Sequence, residues 1–122
     1  MTHQAPPPSA LPGADPGRQI AQLREALRLV ERIAGRADCA SPEGRLDEAA
    51  RISEAYARSL PVAQRRFEAL AAETSVWAAA GVEALLIAGE DAPRAAAARL
   101  AHALERALSE MAALLPPATP SR

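Results

Sequence analysis

Residues 61–89 read PVAQRRFEALAAETSVWAAAGVEALLIAG. Phe67, Leu70, Thr74, Trp77, Gly81, Ala84 or Leu85, and Ala88 follow one another at alternating spacings of three and four, the period of a helix that packs along one stripe. The only Phe and the only Trp of the chain lie on that stripe. Glycine inside a helix costs about 1 kcal/mol relative to alanine, so Ala78-Ala79-Ala80-Gly81 beside Trp77 predicts the close approach of another backbone or of a ligand. Pro61 can open this helix, because the first-turn N–H it lacks would have no intrahelical partner. Gly89 suits the left-handed position just past its end.

Further helices are written on both sides. Asp15 as N-cap with Pro16 at the first helical position opens helix 1, whose stripe is Ile20, Leu23, Leu27, Val30 and Ala34, widened by Leu29 and Ile33. Gly35 to Ala40 is a polar connection. Ser41-Pro42 opens helix 2, with Leu46, Ala49, Ser53, Tyr56 and Leu60 in helical period and Ile52 beside them. Pro61 then marks either a corner or a kink. A continuous helix from 42 to 88 would run roughly 70 Å, too long for a domain of this size, which favours the corner. Asp91 is expected to cap a fourth helix opened by Pro93, with the stripe Ala97, Leu100, Leu104, Leu108 or Ala107, Met111 and Leu115, ending at Pro116.

Short connections between stripes of near-heptad spacing predict an all-α, up-and-down four-helix bundle over residues 15–115. The alternative is a three-helix bundle in which helices 2 and 3 form one rod kinked at Pro61. Residues 1–14 and 116–122 are rich in proline, which cannot donate backbone hydrogen bonds, and both ends are expected to be disordered tails.

Composition agrees with helices. Of 122 residues 32 are alanine, and aromatic residues make up 2%, so the core must be built from Leu, Ile, Val and Ala rather than from the β-branched and aromatic residues a sheet prefers. A net charge of −1 argues against a protein bound mainly to phosphates, and no nucleic-acid partner is expected. All 14 basic residues are arginine, a bias assigned to GC-rich, bacterial-type coding and given no mechanistic weight. Cys39 is the single cysteine, which excludes an intramolecular disulfide and a cysteine-built metal site. The chain start lacks the charged and apolar segments of a signal peptide. The apolar run from Val76 to Ala88 is interrupted by Glu83, so no transmembrane segment and a cytoplasmic location are expected.

Chemistry-bearing residues are scattered. His102 and Glu105 share a helix face, but the inward positions around them are Leu, Ala, Trp and Met, so a local hydrogen bond rather than a metal site is expected. Glu83 lies off the packing stripe, as an exposed flank or a subunit contact. Cys39 reads as an inert loop cysteine. Thr74 and Ser53 fall on core stripes, where helical hydroxyls bond to the carbonyl one turn back. No catalytic residue, metal or cofactor is expected, and the chain is read as a non-enzyme.

Surface features are more pointed. Arg24, Arg28, Arg32 and Arg36 repeat every fourth residue, and like charges at this spacing repel by a few tenths of a kcal/mol per pair. They form either a solvated ridge damped by Glu25 and Glu31, or a surface for an acidic protein partner. Residues 15–36 and 92–122 are net basic and residues 37–91 net acidic, so neighbouring helices 1 and 4 would make one side of the bundle basic. Trp77 is either an anchor for a partner helix or apolar ligand, with Gly81 permitting close approach, or a core side chain near Tyr56 and Phe67. The expected function is therefore that of a small adaptor or regulator acting through a protein partner or as a homodimer. The alternative is a carrier of an apolar small molecule or lipid between helices near Trp77 and Gly81.

Overall fold

The computed structural model describes residues 15–36 and 42–116, and all regular structure among them is helical. Four helices follow in order: α1 (Pro16–Ile33), α2 (Pro42–Ala57), α3 (Pro61–Ala88) and α4 (Arg94–Ala113), with a 3-10 turn at Gly89–Asp91 between the last two. They form an all-α four-helix bundle. The expectations for residues 1–14, for Cys39 and Ser41, and for residues 117–122 lie outside the described residues.

The local signals at the helix ends act as their chemistry requires. Asp15 accepts a hydrogen bond from the Arg18 N–H at 3.2 Å, which satisfies one orphan donor of α1. Leu60 is extended (φ −67°, ψ 153°), as expected for a residue before proline, so α2 and α3 are separate helices meeting at a corner and not one kinked rod. Three contacts hold that corner. The Gln64 side-chain amide donates to the Tyr56 carbonyl at 2.8 Å, the Tyr56 hydroxyl donates to Glu68, and the Tyr56 and Phe67 rings meet edge to face at 5.8 Å.

The opening of α4 differs from the expectation. Gly89 has a positive φ of 60°, but its ψ of −129° lies outside the left-handed helical basin, and it leads into the 3-10 turn. Asp91 sits in that turn and does not cap α4. Ala92, preceding Pro93, is extended, Pro93 itself occupies the N-cap position, and Arg94 is the first helical residue.

The core is built from Ile20, Leu23, Leu27 and Val30 of α1, from Phe67, Ala71, Thr74, Ala78 and Leu85 of α3, and from the α4 stripe centred on Leu104. Ile20, Leu23, Leu27 and Val30 of α1, Ala97, Leu104, Ala107, Leu108 and Met111 of α4, and Leu115 just past its end are buried as read from sequence, whereas Ala34 and Leu100 are only half-buried, and Glu31 and Ala101, not placed in the core from sequence, are buried. On α3 the stripe is turned: Ala71 and Ala78 are buried, Leu70, Trp77 and Gly81 are half-buried on one flank, and Ala84 is exposed. On α2, Ile52 and Ala55 are buried, whereas Leu60 is 74% exposed because the chain has already left the helix at the corner.

Helix α1 packs against the other three, and α3 packs against α1 and α4, while α2 lies along α1 and not along α3. Gly17 and Arg24, seven residues apart and so on one side of α1, meet α2. Gln22 and Ala26, on another side, border α3. Gly17 marks a close crossing of α1 and α2: a Cβ there would run into the Ser53 hydroxyl and lie 2.7 Å from the Ala49 carbonyl oxygen. Because α2 lies along α1 and meets α3 chiefly through Tyr56 near the corner, the outward face of α3 is left without a helix over it.

Candidate functional site

Trp77 lies in a furrow of about 320 Å³ between α3 and α4, with Leu70, Thr74, Ala103, Arg106 and Glu110 around it. It does not join Tyr56 and Phe67, which pair with each other ten residues back, about 15 Å along the helix. What comes close at Gly81 is the Leu100 side chain of α4, whose Cδ2 lies 2.7 Å from where a Cβ would be. The Trp77–Gly81 patch thus packs on the chain's own fourth helix. Thr74 is fully buried and its hydroxyl has no hydrogen-bond partner among the described residues, so the expected bond to the carbonyl one turn back is not made. Ser53 is half-buried against Gly17.

The arginine ridge is largely met within the chain. Arg24 makes a two-pronged pair with Glu48 of α2, at 3.0 Å from Nε and 2.8 Å from the terminal nitrogen. The hydrogen bond to Glu48 outweighs the partial burial of the guanidinium and raises its pKa further. Arg28 pairs with Glu25 at 3.3 Å, and Arg36 lies between Glu31 at 3.8 Å and Glu105 at 3.7 Å. Arg32 is exposed. Glu105 therefore leans toward α1, and His102 points to solvent without it. Among the described residues no group of three or more His, Cys, Asp or Glu side chains is placed to hold a metal ion.

The surface that does stand out is the outward side of α3. Arg65, Ala69, Ala72, Val76, Ala79, Glu83, Leu86 and Ile87 are all exposed and fall on one face of the helix. Val76, Leu86 and Ile87 are 72%, 58% and 78% exposed. Beside this face, between α1 and α3, runs an open groove of about 600 Å³ whose apolar lining includes Leu23, Ala26, Val82, Leu86 and Ile87, with Glu83 at its edge. Pro61–Asp91 is long and apolar enough to cross a membrane by length and composition alone, and only 22% of its most apolar window is buried in the fold. This face was not singled out in the sequence, although Val76, Leu86 and Ile87, all off the packing stripe, are the signal that marks it. No family model, curated protein or solved structure matches this chain.

Proposed function

We propose that this chain is a non-enzymatic contact protein, an adaptor or regulator, whose working surface is the outward face of α3. The observation that carries the reading is the exposure of Val76, Leu86 and Ile87 on one helix face that also carries Ala69, Ala72 and Ala79. Fully burying one such side chain contributes roughly 1.5–3 kcal/mol, so covering these three yields several kcal/mol toward association, with the alanines allowing a partner to approach closely. Glu83 lies on α3, away from His102 and Glu105 of α4, and Glu105 is paired with Arg36, which also favours contact over catalysis.

A photo-crosslinking side chain placed at Leu86 in the native cell tests this, with Arg99, exposed on α4, as the control. Protein adducts are expected from position 86 and not from 99. Equal yields, or none from 86, would overturn the proposal. The second reading, a carrier of an apolar small molecule, is favoured by the α1–α3 groove, whose volume falls in the usual range for such sites. It moves the ligand away from Trp77 to Leu23, Val82 and Leu86. A mass increment retained by the purified protein under native mass spectrometry would support it.

A further inference from the structure

The furrow between α3 and α4 gathers polar groups that the bundle itself does not use. Thr74 lines it and is fully buried, with the one buried side-chain hydroxyl that has no partner among the described residues. Folded proteins pair nearly all their buried polar groups, so an orphan hydroxyl on the wall of a cavity points to something that bonds to it there. Trp77, half-buried, borders the same space. The remaining polar lining is charged and of both signs: Glu73 on α3, with Arg106 and Glu110 on α4, all exposed. Among the described residues none of these three makes an ion pair, although Arg106 and Glu110 stand one helical turn apart. On α1, by contrast, Arg24, Arg28 and Arg36 are each met by a carboxylate of the chain.

From the orphan hydroxyl, the indole and the two signs of unpaired charge we propose that this furrow binds a small zwitterion. Its chemistry is an ammonium and a carboxylate on an apolar body, as in a free amino acid with an apolar side chain. The volume of about 320 Å³ lies at the small end of the range for ligand sites and suits a molecule of that size. The planar guanidinium of Arg106 matches the carboxylate. Glu73 and Glu110 match the ammonium, and the face of Trp77 attracts it as well. Leu70 and Ala103 offer apolar surface to the body of the ligand. A plain anion would meet two carboxylates, a plain cation would meet Arg106, and an apolar molecule would leave the Thr74 hydroxyl unmet. The site lies on the α4 side of α3, away from Val76, Leu86 and Ile87, and stands independently of the contact surface.

Trp77 reports on its own furrow, because it is the single tryptophan. Its emission is followed while L-phenylalanine is added to the full chain. Phenethylamine, which lacks the carboxylate, and phenylpropionate, which lacks the ammonium, are titrated in parallel. L-Phenylalanine is expected to change the emission saturably, and each half-ligand to bind at least about tenfold more weakly, since each leaves one sign of charge unmatched. Arg106→Gln, at an exposed position, should bring L-phenylalanine down to the level of phenethylamine. Thr74→Val should weaken L-phenylalanine by about fivefold, and Thr74→Ser, which keeps the hydroxyl, should retain native affinity. Circular dichroism of each variant checks that the fold is intact. Equal binding of the three compounds would overturn the zwitterion. Binding that neither Thr74→Val nor Arg106→Gln weakens would overturn its placement in this furrow. Emission that responds to neither L-phenylalanine nor L-leucine at millimolar concentration would overturn the proposal as a whole.

Discussion

Replacing Thr74 by valine removes the one buried side-chain hydroxyl that has no partner among the described residues. The side chain is fully buried between α3 and α4, and valine keeps its branched shape, so packing changes little. Protein mutational data place the cost of a buried, unpaired hydroxyl at about 1–3 kcal/mol, and valine and threonine have similar helix propensities. Thr74→Val is therefore expected to stabilise the fold by about 1–2 kcal/mol. For a domain of about 100 residues each of these kcal/mol raises the melting temperature by about 4–8 °C. Urea unfolding followed by Trp77 fluorescence is the assay, since Trp77 is the single tryptophan and borders the same furrow. The midpoint should rise with the slope unchanged. Protein concentration is held fixed, because any association would add stability by mass action. Thr74→Ser, which keeps the hydroxyl and removes the methyl, should be less stable than the native chain. If Thr74→Val instead lost 1 kcal/mol or more, the hydroxyl would have to be bonded in solution and the reasoning would be wrong.

Four further outcomes follow from the helix contacts and caps. Gly17→Ala should destabilise by about 1–3 kcal/mol in thermal unfolding, because the new methyl meets the Ala49 backbone, which cannot move independently of α2. Gly81→Ala should be nearly neutral, because the methyl meets only the flexible tip of half-buried Leu100 and the helix gains about 1 kcal/mol in propensity. Asp15→Ala should lose about 1 kcal/mol with the N-cap hydrogen bond to Arg18. A double-mutant cycle on Arg24 and Glu48 should give a coupling of about 0.5–1 kcal/mol that falls with added salt, since both side chains are partly exposed. The folded pKa of Arg24 lies above its unfolded value, so its part of that coupling is fully present below the unfolded value and is lost only as pH rises past the folded one.

The start of α1, the α2–α3 corner and the end of α3 were legible because their signals are local, whereas the opening of α4 was not, since Asp91 is taken up in the 3-10 turn. Asp15-Pro16, Leu60-Pro61 and Gly89 each act through one or two backbone groups, and the helices begin or end there. The phase of α3 was harder to read. Alanine occupies 71, 72, 78, 79, 80 and 84, and a methyl contributes so little to either face that Leu70 and Trp77 pulled the expected stripe toward α4. Bundle geometry decided the phase, burying Ala71 and Ala78. The α1–α2 crossing at Gly17 was invisible for a related reason: a glycine near a helix start has many uses, and only the position of Ala49 and Ser53 shows which one applies. Of the partners of the arginine ridge, Glu25 and Glu31 were legible within α1, whereas Glu48 on α2 and Glu105 on α4 come to it only through the packing of the helices, which no spacing within α1 could reveal.

The exposed α3 face can be tested most directly by measuring thiol alkylation in the native cell on two single-cysteine variants, Ile87→Cys and Arg99→Cys, each with Cys39 replaced by serine. Both positions are exposed in the isolated chain. A face that works by contact should be covered, so position 87 is expected to react at least about tenfold more slowly than position 99, with the difference abolished on denaturation. Equal labelling rates at the two positions would contradict the claim that the outward face of α3 is this protein's working surface.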